Sequence, residues 1–227
     1  MADVELRTTQ NAQHGQPEIS FRCEETLASI GGDVLLHYFE KSVAEGKVFC
    51  KDQTVQFGFM LLQLREHADG TLRVYEPDLK SHPIQYVDSV TLTLWVSARQ
   101  KYVCESFSPP ETFLPAPLQG EVIVCDRLSR QIDFFCSRAE PRDKDSGWFV
   151  GCLDETHSHE TVENLRRKSL YAAVLEHSDI LPFLGLPPER SVLFVSGEPI
   201  RVLTPERDLV IEPQSFLDQL NQRRLQG

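Results

Sequence analysis

The chain has 227 residues, of which 41% are hydrophobic and 25% are charged, and its 34 acidic and 23 basic residues give a formal net charge of −11. This composition is typical of a globular protein and excludes a collagen-like repeat, a coiled-coil rod and a wholly disordered chain. The acidic excess argues against nucleic-acid binding, which requires clustered lysine and arginine, and favours either a cationic partner or simple solubility.

The sequence contains no membrane or secretory signal. No apolar run approaches the roughly 20 residues of a membrane span, and the N-terminus lacks the basic and apolar pattern of a signal peptide. Six widely spaced cysteines form no CxxC pair, so we expect buried reduced thiols rather than a disulfide framework. The sequence therefore predicts a cytoplasmic protein without membrane contacts.

The first half of the chain predicts a domain that mixes helices and strands. Residues 1–18 are polar and predict a flexible arm. A helix is expected over residues 33–46, where Asp33 can cap the first turn and the apolar residues follow a helical period. Two apolar strands joined by turn residues then predict a hairpin, and residues 88–107 favour a helix. Together they predict an N-terminal α+β domain over residues 19–107, of no family that we recognise.

A proline-rich segment interrupts these patterns. Residues 108–117 contain four of the 14 prolines, which lack the backbone donor that helices and central strands need, so this segment predicts a linker between two domains. Beyond it we expect a helix that begins at Thr161 or Asn164, and a tail over residues 204–227 with a short helix. Strands are expected at residues 120–125, 131–138, 147–152 and 191–195. The predicted fold class is α+β, with mixed, mostly antiparallel sheets and packed helices in two small domains, the second over residues 118–203.

One cluster of side chains could hold a metal ion. Cys152, His157 and His159 lie within a nine-residue segment together with three carboxylates, and zinc accepts thiolate, imidazole and carboxylate ligands. No HExxH or CxxC pattern supplies the rest of a ligand set, so we predict an acidic loop at the start of a helix, and no cofactor. The alternative is a metal-dependent hydrolase in which these three residues bind the metal and Glu155 or Glu160 acts as general base.

A second segment joins a strand, a charged loop and a Gly-Trp pair. Trp148 stands between Gly147 and Gly151, so its large ring either anchors the core or faces a ligand or partner. Arg138, at the end of the preceding strand, can pair with Glu140 or with another carboxylate of the loop. The residues alone leave both interpretations open.

The segment from residue 118 to residue 203 resembles the bacterial immunity protein thirty-three family, a small domain of unknown function. The resemblance rests on the order Arg138-Ala139-Glu140-Pro141 and then Asp145-Ser146-Gly147-Trp148-Phe149, and on the Leu-Pro-Phe-Leu run and the strand that follow it. It implies a non-enzymatic immunity-type protein that binds a cognate protein toxin and neutralises it in the producing cell. The charge of −11 agrees with a cationic toxin.

For a protein with this role, we expect the toxin to bind around the Gly-Trp pair. Aromatic anchors and the acidic loops on either side of the Gly-Trp pair would form one acidic face, since a few aromatic residues usually dominate an interface. The sequence predicts neither the identity of the toxin nor an oligomeric state, and it predicts no catalytic residue. The predicted partner-binding residues are Arg138, Asp143, Asp145, Trp148, Phe149, Asp154 and Glu155.

Overall fold

A computed structural model describes residues 2–128 and 133–226. The chain divides into two compact units, Met1–Ala98 and Arg99–Gly227, and the boundary lies within a helix. Each unit combines helices with one mixed sheet, which confirms the predicted α+β class. The first two residues of the strand predicted at 131–138 lie outside the described residues.

The described part of the first unit is built on a six-stranded sheet. Its elements, with the helix that contains the boundary, are β1 (Asp3–Arg7), β2 (Ile19–Glu24), α1 (Glu25–Leu27), α2 (Asp33–Ala44), β3 (Thr54–Phe57), β4 (Met60–Glu66), β5 (Leu72–Pro77), β6 (Tyr86–Val87) and α3 (Thr91–Cys104). The strand order is β1-β2-β5-β4-β3, with β6 beside β5. Strands β2 and β5 pair in parallel, and the other described pairs are antiparallel.

The strongest local patterns of the first unit are confirmed. Helix α2 covers most of the helix predicted at residues 33–46 and buries Leu35, Phe39 and Val43, which are spaced four residues apart on one face. Strands β4 and β5 form the predicted antiparallel hairpin, and Gly70 has the positive φ (81°) that the tight turn between them requires. Helix α3 lies within the predicted helical segment.

Strand β1 lies where the sequence predicts a flexible arm. It pairs antiparallel with β2 along all five of its residues. Val4 and Leu6 alternate with charged residues and are half-buried, so the strand covers the sheet edge with two apolar side chains. Two apolar residues in a polar stretch are too short a periodic signal to predict a strand, and the pairing partner supplies the rest of the stability.

The second unit is built on another sheet, of six strands among the residues described. Its elements are β7 (Glu121–Cys125), β8 (Phe134–Arg138), β9 (Asp145–Cys152), β10 (Leu165–Ser169), α4 (Leu170–Glu176), β11 (Arg190–Phe194), β12 (Arg201–Leu203) and α5 (Phe216–Gln226). The strand order is β10-β7-β9-β8-β11-β12. Strands β7 and β9 run parallel, so their C-terminal ends meet at the same edge of the sheet. Helix α5 confirms the short helix predicted in the tail.

The proline-rich segment belongs to the second unit. The backbone N–H of Leu114 donates to the carbonyl oxygen of Gly185 (2.8 Å), and that of Ala116 donates to the carbonyl oxygen of Leu184 (3.2 Å). The sequence places a linker at residues 108–117 because prolines interrupt regular structure. Here the segment is hydrogen-bonded inside one unit, and the division of the chain falls before it.

The chain after Asn164 forms a strand followed by a helix, where the sequence predicts one helix that begins at Thr161 or Asn164. Strand β10 pairs antiparallel with β7, and α4 begins only at Leu170. The Ser169 hydroxyl caps α4 by accepting a hydrogen bond from the backbone N–H of Ala172 at 3.2 Å. Because β10 is stabilised by a strand that is distant in sequence, the local apolar spacing does not indicate it.

Candidate functional site

Strand β9 places the two predicted aromatic site residues, Trp148 and Phe149, on opposite faces of the sheet. Successive side chains of a strand point to opposite faces, and Trp148 is 1% exposed whereas Phe149 on the other face is half-buried. Trp148 pairs across the sheet with Arg138 of β8, which is also buried. Of the two interpretations of Trp148 that the sequence leaves open, its burial agrees with the core anchor.

Arg138 is held inside the second unit by backbone acceptors. Its guanidinium group donates to the carbonyl oxygens of Leu114 and Leu186, and its Cζ lies 5.6 Å from the centre of the Trp148 ring in a cation–π arrangement. Burial lowers the pKa of Arg138, because the charged form is stabilised less away from water. Arg138 and Trp148 therefore organise the core beneath one face of the sheet.

The opposite face of the second sheet carries four half-buried apolar side chains, which we call the apolar face: Ile123, Phe135, Phe149 and Leu193. The strand register places Ile123 opposite Phe149 and Phe135 opposite Leu193. The centroids of the Phe135 and Phe149 rings are 5.6 Å apart. Both rings lie over Gly151, where a single added carbon would fall 2.6 Å from the Phe149 ring, so glycine makes room for the aromatic pair.

The acidic residues predicted to form one face lie at the two ends of β9. Asp145 is the first residue of β9 and Asp143 lies two residues before it, whereas Asp154 and Glu155 follow its last residue. Strand β9, from Asp145 to Cys152, spans about 23 Å between these two groups. Asp143 occupies a turn position with φ of 53°, and Asp145 Oδ1 accepts a hydrogen bond from the backbone N–H of Gly147 at 2.9 Å. The carboxylates thus border the apolar face from both ends.

An Asx turn shapes the loop that follows β9. Asp154 Oδ1 accepts hydrogen bonds from the backbone N–H of Thr156 (2.9 Å) and from its hydroxyl (2.6 Å), and the Asp154 carbonyl accepts one from the N–H of His157 (3.0 Å). The hydrogen bonds from Thr156 lower the pKa of Asp154, so its carboxylate is charged at neutral pH. Asn164 Nδ2 donates to the carbonyl oxygen of Ser158 at 2.8 Å. The loop is therefore shaped by its own hydrogen bonds.

Two cysteines and two histidines converge at the sheet edge where β7 and β9 end; we call them the Cys–His cluster: Cys125, Cys152, His157 and His159. One ligand atom from each residue lies within 4.8 Å of the others. Cys125 Sγ is 3.6 Å from Cys152 Sγ, which in turn is 3.5 Å from His159 Nε2. The sequence groups three of these residues and misses Cys125. The sequence does carry one sign of Cys125, because this residue is the last of the apolar strand β7 just as Cys152 is the last residue of β9.

The Cys–His cluster is largely shielded from water. Both cysteines and His157 are buried, and the half-buried His159 ring lies 5.4 Å from the Phe149 ring. Burial raises the pKa of the Cys152 thiol, whereas burial and the neighbouring His157 lower the pKa of His159. The His159 imidazole is therefore predominantly neutral at pH 7 and has a lone pair available for bonding. Nε2 of His157 lies 3.5 Å from Oδ1 of Asp126.

The second unit is a small α+β domain with a buried Arg-Trp pair, an apolar sheet face and a cluster of thiols and imidazoles. Residues 99–204 match the family model described as the Imm33-like domain. This match confirms the resemblance of this segment of the chain to the immunity protein thirty-three family. No curated protein and no solved structure matches the chain. Within residues 2–128 and 133–226, no helix has both the length and the apolar character needed to cross a membrane.

Proposed function

We propose that the Imm33-like segment is a non-enzymatic, immunity-type domain that binds a cationic protein toxin through the apolar face and the acidic loops that border it. In this proposal the protein neutralises its cognate toxin in the cytoplasm of the producing cell by covering a functional surface of the toxin. The observation that carries the proposal is the half-buried aromatic pair of Phe135 and Phe149 on the sheet surface, which lies within the segment that matches an immunity-type family. Aromatic side chains are where interface energy concentrates.

The apolar face and its borders have the layout of a protein interface. Such interfaces combine an apolar centre with a charged, solvent-exposed rim, and a typical one buries roughly 800 Å² per partner. The face spans four neighbouring strands, and β9 alone is about 23 Å long. An arginine on each edge strand forms an ion pair. Arg167 Nη1 on β10 lies 2.7 Å from Glu121 Oε2, and Arg201 Nη1 on β12 lies 3.4 Å from Asp208 Oδ2. They therefore add little free positive charge beside the face.

Negative charge in the second unit is concentrated in the chain around β9. Residues 99–227 contain 20 acidic and 15 basic residues, a net charge of −5. Residues 139–163 alone contain seven acidic and two basic residues and therefore have the same net charge. Asp143, Asp154 and Glu155 are exposed at the ends of the apolar face. A cationic toxin would be steered towards these ends before short-range contacts form.

The hydrolase alternative would need a metal with an open coordination position for water. The Cys–His cluster supplies four protein ligands, which is a full tetrahedral set. The two carboxylates considered as general bases, Glu155 and Glu160, are exposed side chains in the loop. We therefore propose a binding role for the domain rather than catalysis.

Co-expression with the product of the adjacent gene tests the proposal. The chain would be produced together with that protein in a heterologous host, with growth and complex formation as readouts. We expect the chain to restore growth and to form a complex of nanomolar Kd. Because the encounter is driven by charge, raising the salt concentration from 0.05 to 0.5 M should slow association by about tenfold or more.

Surface variants locate the binding face. Phe149→Asp and Ile123→Glu each place a charge on the apolar face and should weaken toxin binding by about a hundredfold or more. Val210→Asp is the matched control, because Val210 is an apolar residue of the same unit that is 61% exposed and lies outside the strands. Circular dichroism verifies that each variant is folded. Protection that persists in both folded face variants, or a wild-type chain that neither protects nor binds, would contradict the proposal.

A further inference from the structure

Two distances within the Cys–His cluster match those of a tetrahedral zinc site, and the four ligand atoms all lie within 4.8 Å of one another. With Zn–S bonds of about 2.3 Å and Zn–N bonds of about 2.05 Å, two sulfur ligands lie about 3.8 Å apart, and a sulfur and a nitrogen lie about 3.6 Å apart. The corresponding distances are 3.6 Å between the Sγ atoms of Cys125 and Cys152, and 3.5 Å between Cys152 Sγ and His159 Nε2. These ligands need only small adjustments to surround one ion.

His157 brings a buried polar atom to the same place. Its side chain is 3% exposed, and Nε2 has no hydrogen-bond partner within the described part of the chain. Asp126 Oδ1 lies 3.5 Å from this Nε2, so Nε2 faces the carboxylate and Nδ1 is the ring nitrogen left to bind the ion. A carboxylate beside the ring is the usual companion of a histidine that binds a metal.

The charge balance of the site also favours a divalent ion. Two thiols become thiolates when they bind zinc, and the two imidazoles bind in the neutral form. Two negative charges then offset the two positive charges of Zn²⁺, so the ion adds no net charge to a buried place. Thiolate and imidazole ligands select zinc over calcium and magnesium, which prefer oxygen.

We propose that Cys125, Cys152, His157 and His159 bind one zinc ion, which anchors the loop after β9 to the ends of β7 and β9. Four protein ligands complete the tetrahedral shell, so the ion has a structural role. The His159 ring packs against Phe149 at 5.4 Å between centroids, and the ion therefore also fixes one border of the apolar face. The site stands on its own geometry and does not depend on the toxin-binding proposal.

The metal content of untagged protein is the first measurement. The full chain would be produced in zinc-supplemented medium, purified with a thiol reductant and without metal-affinity resin, and analysed by mass spectrometry of its elements. We expect about one zinc per chain. After removal of the metal with a chelator, zinc should bind again with a Kd in the nanomolar range or tighter, and Co²⁺ should produce the intense visible absorption of a tetrahedral thiolate site.

Single variants identify the ligands. Cys125→Ser and His159→Ala should each lower the zinc content several-fold, whereas His159→Cys should retain it, since three cysteines and one histidine also form a zinc site. Cys50→Ser and His37→Ala are matched controls, because both residues are exposed and lie in the first unit. A purely packing role for His159 would not predict rescue by cysteine.

Three outcomes would overturn the proposal. The first is wild-type protein with less than about a tenth of an equivalent of zinc whose metal-free form takes up neither Zn²⁺ nor Co²⁺. The second is a disulfide between Cys125 and Cys152 that persists in protein purified with the thiol reductant. The third is a folded Cys125→Ser variant with unchanged zinc content and affinity. Thermal unfolding of the wild-type chain with and without zinc tests zinc binding without any substitution. We expect a higher Tm with the ion.

Discussion

The Cζ atom of Arg138 lies 5.6 Å from the centre of the Trp148 ring, and both side chains are buried. Arg138→Lys should lower the free energy of unfolding by about 2–4 kcal/mol, because an ammonium group cannot reach both backbone carbonyls and stack on the ring as the planar guanidinium does. Urea unfolding measures the loss. The exposed Arg142 provides the control, and Arg142→Lys should change stability by less than about 0.5 kcal/mol. Equal effects of the two substitutions would refute the structural role of Arg138.

Gly147 approaches the backbone of Ala139 so closely that an added Cβ would lie 2.1 Å from the carbonyl oxygen of Ala139. Gly147 also has a φ of 78°, which disfavours any other residue. Gly147→Ala should therefore destabilise the chain by about 3 kcal/mol or more. Gly197 separates the two effects, since its φ is 76° but no atom lies within 4 Å of an added Cβ. Gly197→Ala should cost only about 1–2 kcal/mol in the same unfolding experiment.

Ser169 joins strand β10 to helix α4, and its hydroxyl accepts the hydrogen bond that caps the helix. Ser169→Ala removes this acceptor and should destabilise the chain by about 1 kcal/mol. Ser169→Thr keeps a capping hydroxyl and suits the end of a strand, so it should stay within about 0.5 kcal/mol of the wild type. If the alanine and threonine variants unfold at the same urea concentration, the capping role is excluded.

Elements with a strong local signal could be predicted from the sequence. Helix α2 has apolar residues at regular spacing on one face. The β4–β5 hairpin has apolar residues within both strands and a glycine in the turn between them. Strands β1 and β10 were missed for a common reason. Each is a short edge strand with several polar residues, and its stability comes from pairing with a strand elsewhere in the chain. A pattern within its own five residues therefore does not predict it.

The candidate site was predictable only where its residues are close in sequence. Cys152, His157 and His159 share one segment, so their grouping needs no fold, whereas Cys125 joins them through the parallel pairing of β7 and β9. The sequence predicts Trp148 and Phe149 together as aromatic anchors of a binding surface. Because side chains alternate along a strand, the Trp148 ring is buried in the core and the Phe149 ring is half-buried on the other face, and only the folded sheet shows which ring lies on which face.

The carboxylate of Glu76 caps helix α3 from a buried position in the first unit. Its Oε1 accepts a hydrogen bond from the backbone N–H of Leu92 (3.1 Å), and its Oε2 accepts one from that of Thr93 (2.6 Å). Glu76→Ala should destabilise the chain by about 1–3 kcal/mol, because these donors lose their partner. Glu66→Ala is the control, since Glu66 is exposed and its ion pair with Lys51 is worth less than about 1 kcal/mol.

The pH dependence of this difference gives a second test of Glu76. Burial raises the pKa of Glu76 above its ordinary value despite the hydrogen bonds to the carboxylate, so the folded chain holds the proton more tightly than the unfolded chain does. Stability from this group is therefore fully present below the ordinary pKa and falls as pH rises towards the raised one. The alanine variant lacks this decline. Urea unfolding between pH 4 and pH 8 should show the gap between wild type and Glu76→Ala narrowing as pH increases, and a gap that widens instead would mean that the helix N-terminus outweighs burial and lowers this pKa.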